Sequence, residues 1–199
     1  MPQLSPIVTE RSETDPRFLR TRQALLLAIR DLIDGEPDCA ISVTRLADAA
    51  GVSRPTFYQH FADVDAALQQ AAIERISGAL PEEIPANSDT SFQQQAYERA
   101  LPVIVHLETH RDFYARVIET AGTAAFFDML HKFVKANIFT IPKDRDDLED
   151  TIEVLAGGVI FFVVRWLRGT VLATPQELTQ RLTTFAVLLH ETTPTRDQT

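Results

Sequence analysis

A chain of 199 residues, 45% hydrophobic and 24% charged with 7 Gly and 11 Pro, has the composition of a folded globular protein rather than a disordered or fibrous one. A net charge of −9 argues against broad electrostatic attraction to nucleic acid, and one cysteine, Cys39, excludes an internal disulfide. The charge is uneven: residues 1–62 carry seven arginines, no lysine and eight acidic residues, a balance of −1, which leaves −8 for the remainder.

In chain order, the spacing of Phe18, Leu25, Leu26, Ile29, Leu32 and Ile33 predicts a helix over 16–34, with Pro16 in its first turn and Gly35 and Pro37 at its end. Ser42 is placed to cap a short helix, 43–50, that Gly51 stops. Ser53 caps the next, with Pro55 in its first turn, where a missing N–H costs no hydrogen bond. Phe57 and Phe61, four apart, share its buried face. Asp63 caps a fourth helix that Gly78 and Pro81 close.

The polar stretch 81–90 is the best module boundary, and helices are expected over roughly 91–109, 111–119, 123–139, 148–168 and 175–190. Pro102 is placed to kink or divide the first of these. The clearest helix start is 174-TPQE-177: a threonine cap, a proline at the first helical position and a glutamate three residues on. No alternation requires a sheet. The longest apolar run, 154–164, is too short to span a bilayer, and the start of the sequence lacks a secretory pattern, so a cytoplasmic protein with no membrane partner is expected.

Two short helices joined by Gly51-Val52-Ser53 and flanked by longer ones have the spacing of a helix-turn-helix. In such a reader some side chains hold phosphates and a few reach base edges. Arg54, Thr56 and Gln59 suit base edges or nearby sugar-phosphate, and Tyr58 and His60 suit phosphate oxygens.

From Arg22 through Leu68 the chain resembles the DNA-binding domain of the TetR (tetracycline repressor) family, on 22-RQALLLAIRDLI-33 and 42-SVTRLADAAGVSRPTFYQHFADVDAAL-68. The resemblance implies an all-α fold: an N-terminal helix-turn-helix domain over 16–62, a connecting helix over 63–80, and a larger helical effector-binding and dimerisation domain over 91–190. It implies DNA contacts from Ser42, Thr44 and Arg45 on the second helix, Ser53, Arg54, Pro55 and Thr56 at the start of the recognition helix, and phosphate-facing Tyr58 and His60. Family members commonly carry a lysine at the start of the fourth helix, where this chain has Val64 and Asp65, which removes one phosphate contact. Arg17, Arg20 and Arg22 are candidates to replace it.

In the C-terminal part the resemblance implies a four-helix interface between two copies, built from the last two helices. Gly157, Gly158, Phe161, Trp166, Leu182, Phe185 and Leu189 are the candidate dimer residues. A dimer sets two reading helices about 34–36 Å apart on a palindromic double-stranded operator. A small, largely apolar effector is expected among the helices from about 91 to 166. Its candidate walls are Phe113, Phe126, Phe127, Phe133 and Phe162, with His106, His110, Tyr114, Asn137 and Glu153 as polar groups. His106 and His110 share a helical face, but nothing else in the sequence completes a metal site, so neither metal nor cofactor is expected. The absence of a phosphate loop, nucleophile elbow or metalloprotease motif points away from an enzyme. The expected function is a repressor released from its operator by the effector. The alternative is a helical protein-interaction dimer with weakened DNA binding.

Overall fold

The computed structural model describes residues 15–36, 39–81, 91–137 and 149–192, and among them every regular element is helical. The helices are α1 (Pro16–Gly35), α2 (Val43–Ala49), α3 (Arg54–His60), α4 (Val64–Ser77), α5 (Phe92–Thr109), α6 (Arg111–Ala121), α7 (Thr123–Asn137), α8 (Glu149–Leu167) and α9 (Pro175–Thr192). The chain divides into two units between Ala71 and Ala72, within α4, rather than in the stretch 81–90, most of which lies outside the described residues.

In the first unit the helix ends follow from single side chains. Asp15 caps α1 by accepting from the Arg17 N–H, Ser42 caps α2 from the Arg45 N–H, and Ser53 caps α3 from the Thr56 N–H at 3.2 Å. Asp63 accepts from the Ala66 N–H at 2.8 Å and so starts α4. Helix α2 ends in a Schellman motif: Val52 N–H donates to Ala47 O at 2.9 Å and Gly51 N–H to Asp48 O at 3.1 Å. That geometry puts Gly51 at φ +67°, a conformation that costs other residues a steric penalty. Leu25, Ile29, Leu46, Phe57 and Leu68 are fully buried and form the centre of this unit.

In the second unit α5 packs on α9, α7 on α8, and α6 on both α7 and α8. Helix α5 runs as one element through Pro102, which does not divide it. Pro102 and Glu98 are both exposed, so the hydrogen bond the proline cannot make is lost on the solvent side. Thr174 and Glu177 form a reciprocal capping box at α9: Glu177 N–H donates to Thr174 Oγ1 at 3.2 Å and Thr174 N–H to Glu177 Oε2 at 2.9 Å. The Thr174 backbone N–H, and after it the Thr174 side chain, hold the Glu177 carboxyl below its usual range.

The turn between α8 and α9 is tied from α6. The Arg111 guanidinium lies 4.5 Å from the centroid of the Trp166 ring and donates to the carbonyls of Trp166 and Leu167, while the Trp166 indole N–H donates to Ala173 O at 2.8 Å. Arginine here supplies a donor to the Leu167 carbonyl at the helix C-terminus and a second one to Trp166 O, which also accepts from the Gly169 N–H at 2.9 Å.

Candidate functional site

On α3 the heptapeptide RPTFYQH sorts its two faces by polarity. Phe57 is fully buried with its ring 5.7 Å from that of Phe61, whereas Arg54, Pro55, Tyr58 and Gln59 are exposed and Thr56 and His60 are half-buried. Ser42 and Thr44 are exposed on the neighbouring element and Arg45 is half-buried. All ten residues expected at DNA are thus at least partly accessible within the first unit.

Several of them already have partners. Ser53 Oγ and Thr56 Oγ1 are 2.8 Å apart, so the cap and one base-edge candidate share a hydrogen bond. Arg45 pairs with Glu36. Arg22, a candidate replacement for the missing lysine, is committed inside the unit: it donates to His60 O at 3.2 Å and lies 4.9 Å from the centroid of the Phe61 ring. Its role is to close the C-terminal end of α3. Arg20 donates to Pro16 O on its own helix, and Arg17 and Arg20 are both exposed.

The His60 ring lies 4.0 Å from that of Phe18, and burial, then the Arg22 charge, lower its pKa below the ordinary 6.5. In the chain without DNA the His60 imidazole is therefore mostly neutral at neutral pH. The same shift gives a sign for stability. The unfolded chain takes up the His60 proton more readily than the folded one, so the contribution is present above about pH 6.5 and is lost as pH falls through the folded value. We expect acidification from pH 7.5 to 5 to lower the wild-type urea midpoint more than that of His60→Gln; equal losses would remove His60 as a source of acid sensitivity.

The second unit contains a cavity of about 60 Å³. Five helices wall it, with Ile76 from α4, Ala100 and Leu107 from α5, Phe133 from α7, Val163 from α8, and Leu182 and Thr183 from α9. Of the ten residues expected around an effector, Phe133 lines this cavity. His106, His110, Phe113, Tyr114 and Phe126 gather in a different cluster. There His106 Nε2 lies 3.0 Å from the Tyr114 hydroxyl, the two histidine rings are 4.7 Å apart, and Tyr114 packs against Phe113 and Phe126. Arg75 joins this cluster, with its guanidinium 2.7 Å from His110 Nδ1 and 4.5 Å from the centroid of the Phe113 ring. Because arginine only donates, His110 accepts at Nδ1.

The remaining candidates fall on the α7–α8 contact. Phe127 stacks on His131, whose Nε2 is 2.9 Å from Glu153 Oε2, and Lys135 also pairs with Glu153. The Lys135 hydrogen bond holds the Glu153 carboxyl below its ordinary range. Asn137 donates to Phe133 O at 2.9 Å, and Phe162 is half-buried. These positions are occupied by the unit's own packing. The cavity residues missed in the sequence include Ala96 and Ala100. Four apart on the apolar face of α5, they leave room because their side chains are small, and that spacing was the available signal.

The dimer candidates separate in a similar way. Trp166 is 1% exposed and tied to Ala173 and Arg111, and Leu182 is buried at the cavity. Gly157 faces Phe127 of α7, so a Cβ there meets that ring at 3.8 Å. Val154, Gly158 and Phe161 instead form an exposed stripe along α8, Phe161 being 57% exposed, and Phe185 on α9 is 54% exposed. Leu189 lies outside the residues whose side chains are described.

No family model matches the chain. A curated relative, the uncharacterized HTH-type transcriptional regulator YxbF of Bacillus subtilis (strain 168), is 29% identical over 98 residues, 48% of this chain. The chain spans about a quarter of that protein's length, 26% of it. The crystal structure of a TetR transcriptional regulator from Rhodococcus sp. RHA1 superposes with a TM-score of 0.60, covering 88% of this chain and 98% of that one at 16% identity. The chain has the TetR-regulator fold. No helix among the described residues is long and apolar enough to cross a membrane.

Proposed function

We propose that the chain is a TetR-like DNA-binding transcriptional regulator and not an enzyme: a cytoplasmic homodimer that represses by occupying a palindromic operator and is released by a small, largely apolar effector. The observation that carries this reading is the division of α3, whose apolar side is consumed by Phe57 while Arg54, Tyr58 and Gln59 remain exposed beside a serine-capped start. The exposed stripe Val154, Gly158 and Phe161 with Phe185 supports a second copy as partner, since apolar surface concentrated on two helices favours association. The cavity supports the effector. Its ligand favours release only by binding the released form better than the DNA-bound form.

The test is selection of bound duplexes from a random DNA library at low and moderate salt. An enriched palindrome, with Arg54→Ala altering sequence preference and Tyr58→Ala weakening all sequences alike, is the expected result. No enrichment at either salt overturns the reading in favour of the protein-interaction dimer. The Glu36–Arg45 pair adds a second expectation, because the carboxylate competes with phosphate for the same guanidinium. Glu36→Gln should tighten operator binding about two- to fivefold at low salt, the scale of an exposed ion pair, and the gain should fade as salt is raised. Unchanged affinity would remove Arg45 from the phosphate contacts.

A further inference from the structure

We infer that the cavity of the second unit takes an uncharged aliphatic ligand, an alkyl group held by contact alone and with no carboxylate or amine inside the walls. This rests on reading the cavity as the effector site and narrows the chemistry of what enters it.

The walls carry almost no polarity. Alanine, valine, leucine and isoleucine side chains make up most of them, Phe133 is the aromatic member and, among the described residues, no charged side chain takes part. The one hydroxyl, on Thr183, is spent on its own helix, donating to Thr179 O at 3.0 Å and Gln180 O at 3.2 Å. A ligand carboxylate or ammonium would enter without a counter-charge or a donor to replace its water, which strongly disfavours binding. A hydrogen-bonding ligand finds at most the Thr183 oxygen as an acceptor, one partner where water offers several.

A cavity so lined also holds water poorly, since a buried water needs two to four polar partners, whereas apolar voids stay dry and accept apolar guests. The polar groups nearest in sequence do not supply those partners. Arg75, beside Ile76, is turned to His110 and the Phe113 ring, and His106, beside Leu107, to the Tyr114 hydroxyl. Filling the space therefore adds dispersion contacts to the walls and removes the ligand's own apolar surface from water.

The test uses the full chain in sealed scanning calorimetry with n-hexane, hexanoate and hexylamine at equal free concentrations and pH 7. Hexane is expected to raise Tm saturably, and both charged analogues to bind at least tenfold more weakly. Ala100→Phe and Ala96→Phe, which fill the cavity from α5, are expected to abolish the hexane shift in whichever variant retains the wild-type helical signal. The inference is overturned if hexanoate or hexylamine matches hexane, if hexane gives no saturable shift, or if the shift survives in the filled variants. Operator release is scored separately. Hexane that binds in the cavity yet leaves DNA affinity unchanged overturns the effector reading, while the ligand class stands.

Discussion

Phe57→Ala is expected to unfold the first unit and abolish DNA binding. The side chain is fully buried against Phe61 and beside Tyr58, and truncating a buried phenylalanine costs about 3–5 kcal/mol, most of the lower end of the 5–15 kcal/mol that stabilises a typical domain. No backbone hydrogen bond of α3 is removed by the change, so the loss reads on packing alone. Tyr58→Ala is the contrasting variant: with its ring 52% exposed, it should leave the unfolding midpoint within about 0.5 kcal/mol of wild type and still weaken DNA binding. Denaturation followed by circular dichroism, with binding measured on the same preparations, separates the two. A Phe57→Ala protein that melts like wild type would show that α3 does not depend on its core contact.

The second large effect is expected from a charge on the α8 stripe. Phe161→Glu places a carboxylate at a position that is 57% exposed in the single chain, so folding of the second unit should be little affected. In a homodimer the same carboxylate is buried opposite apolar surface or its own symmetry mate, which costs several kcal/mol. Sedimentation should shift from dimer to monomer, and operator affinity should fall by at least about a hundredfold, because one reading helix contacts half the palindrome. A variant that remains dimeric would move the interface away from Phe161. Phe185→Glu tests the α9 side by the same reasoning.

Local features were legible wherever one residue governs one backbone group. Ser42, Ser53, Asp63 and Thr174 each cap the helix their position suggested, and Gly51 turns the chain where a positive φ is needed. The reading weakens where several helices meet. Phe113 and Phe126 belong to the same apolar patterns as Val103 and Leu107, yet only the latter pair lines the cavity. Periodicity identifies the buried face of a helix but not which part of that face meets a gap. Polar residues were misleading for a related reason. His106 and His110 have the spacing of ligand groups, but their partners Tyr114 and Arg75 lie on other helices and come into reach only through packing. Pro102 shows the limit of a local rule, since its effect depends on which side of α5 loses the hydrogen bond.

The chain's one tryptophan makes the two units separately observable. Trp166 belongs to the second unit, where it is shielded from water, covered by the Arg111 guanidinium and hydrogen-bonded through its indole to Ala173. Its emission should be blue-shifted while α6, α8 and the turn after α8 hold together, and should redden when that corner opens. Helical circular dichroism counts all nine described helices. An ellipticity loss that precedes the red shift therefore marks the first unit melting first, and coincident transitions mark one cooperative molecule.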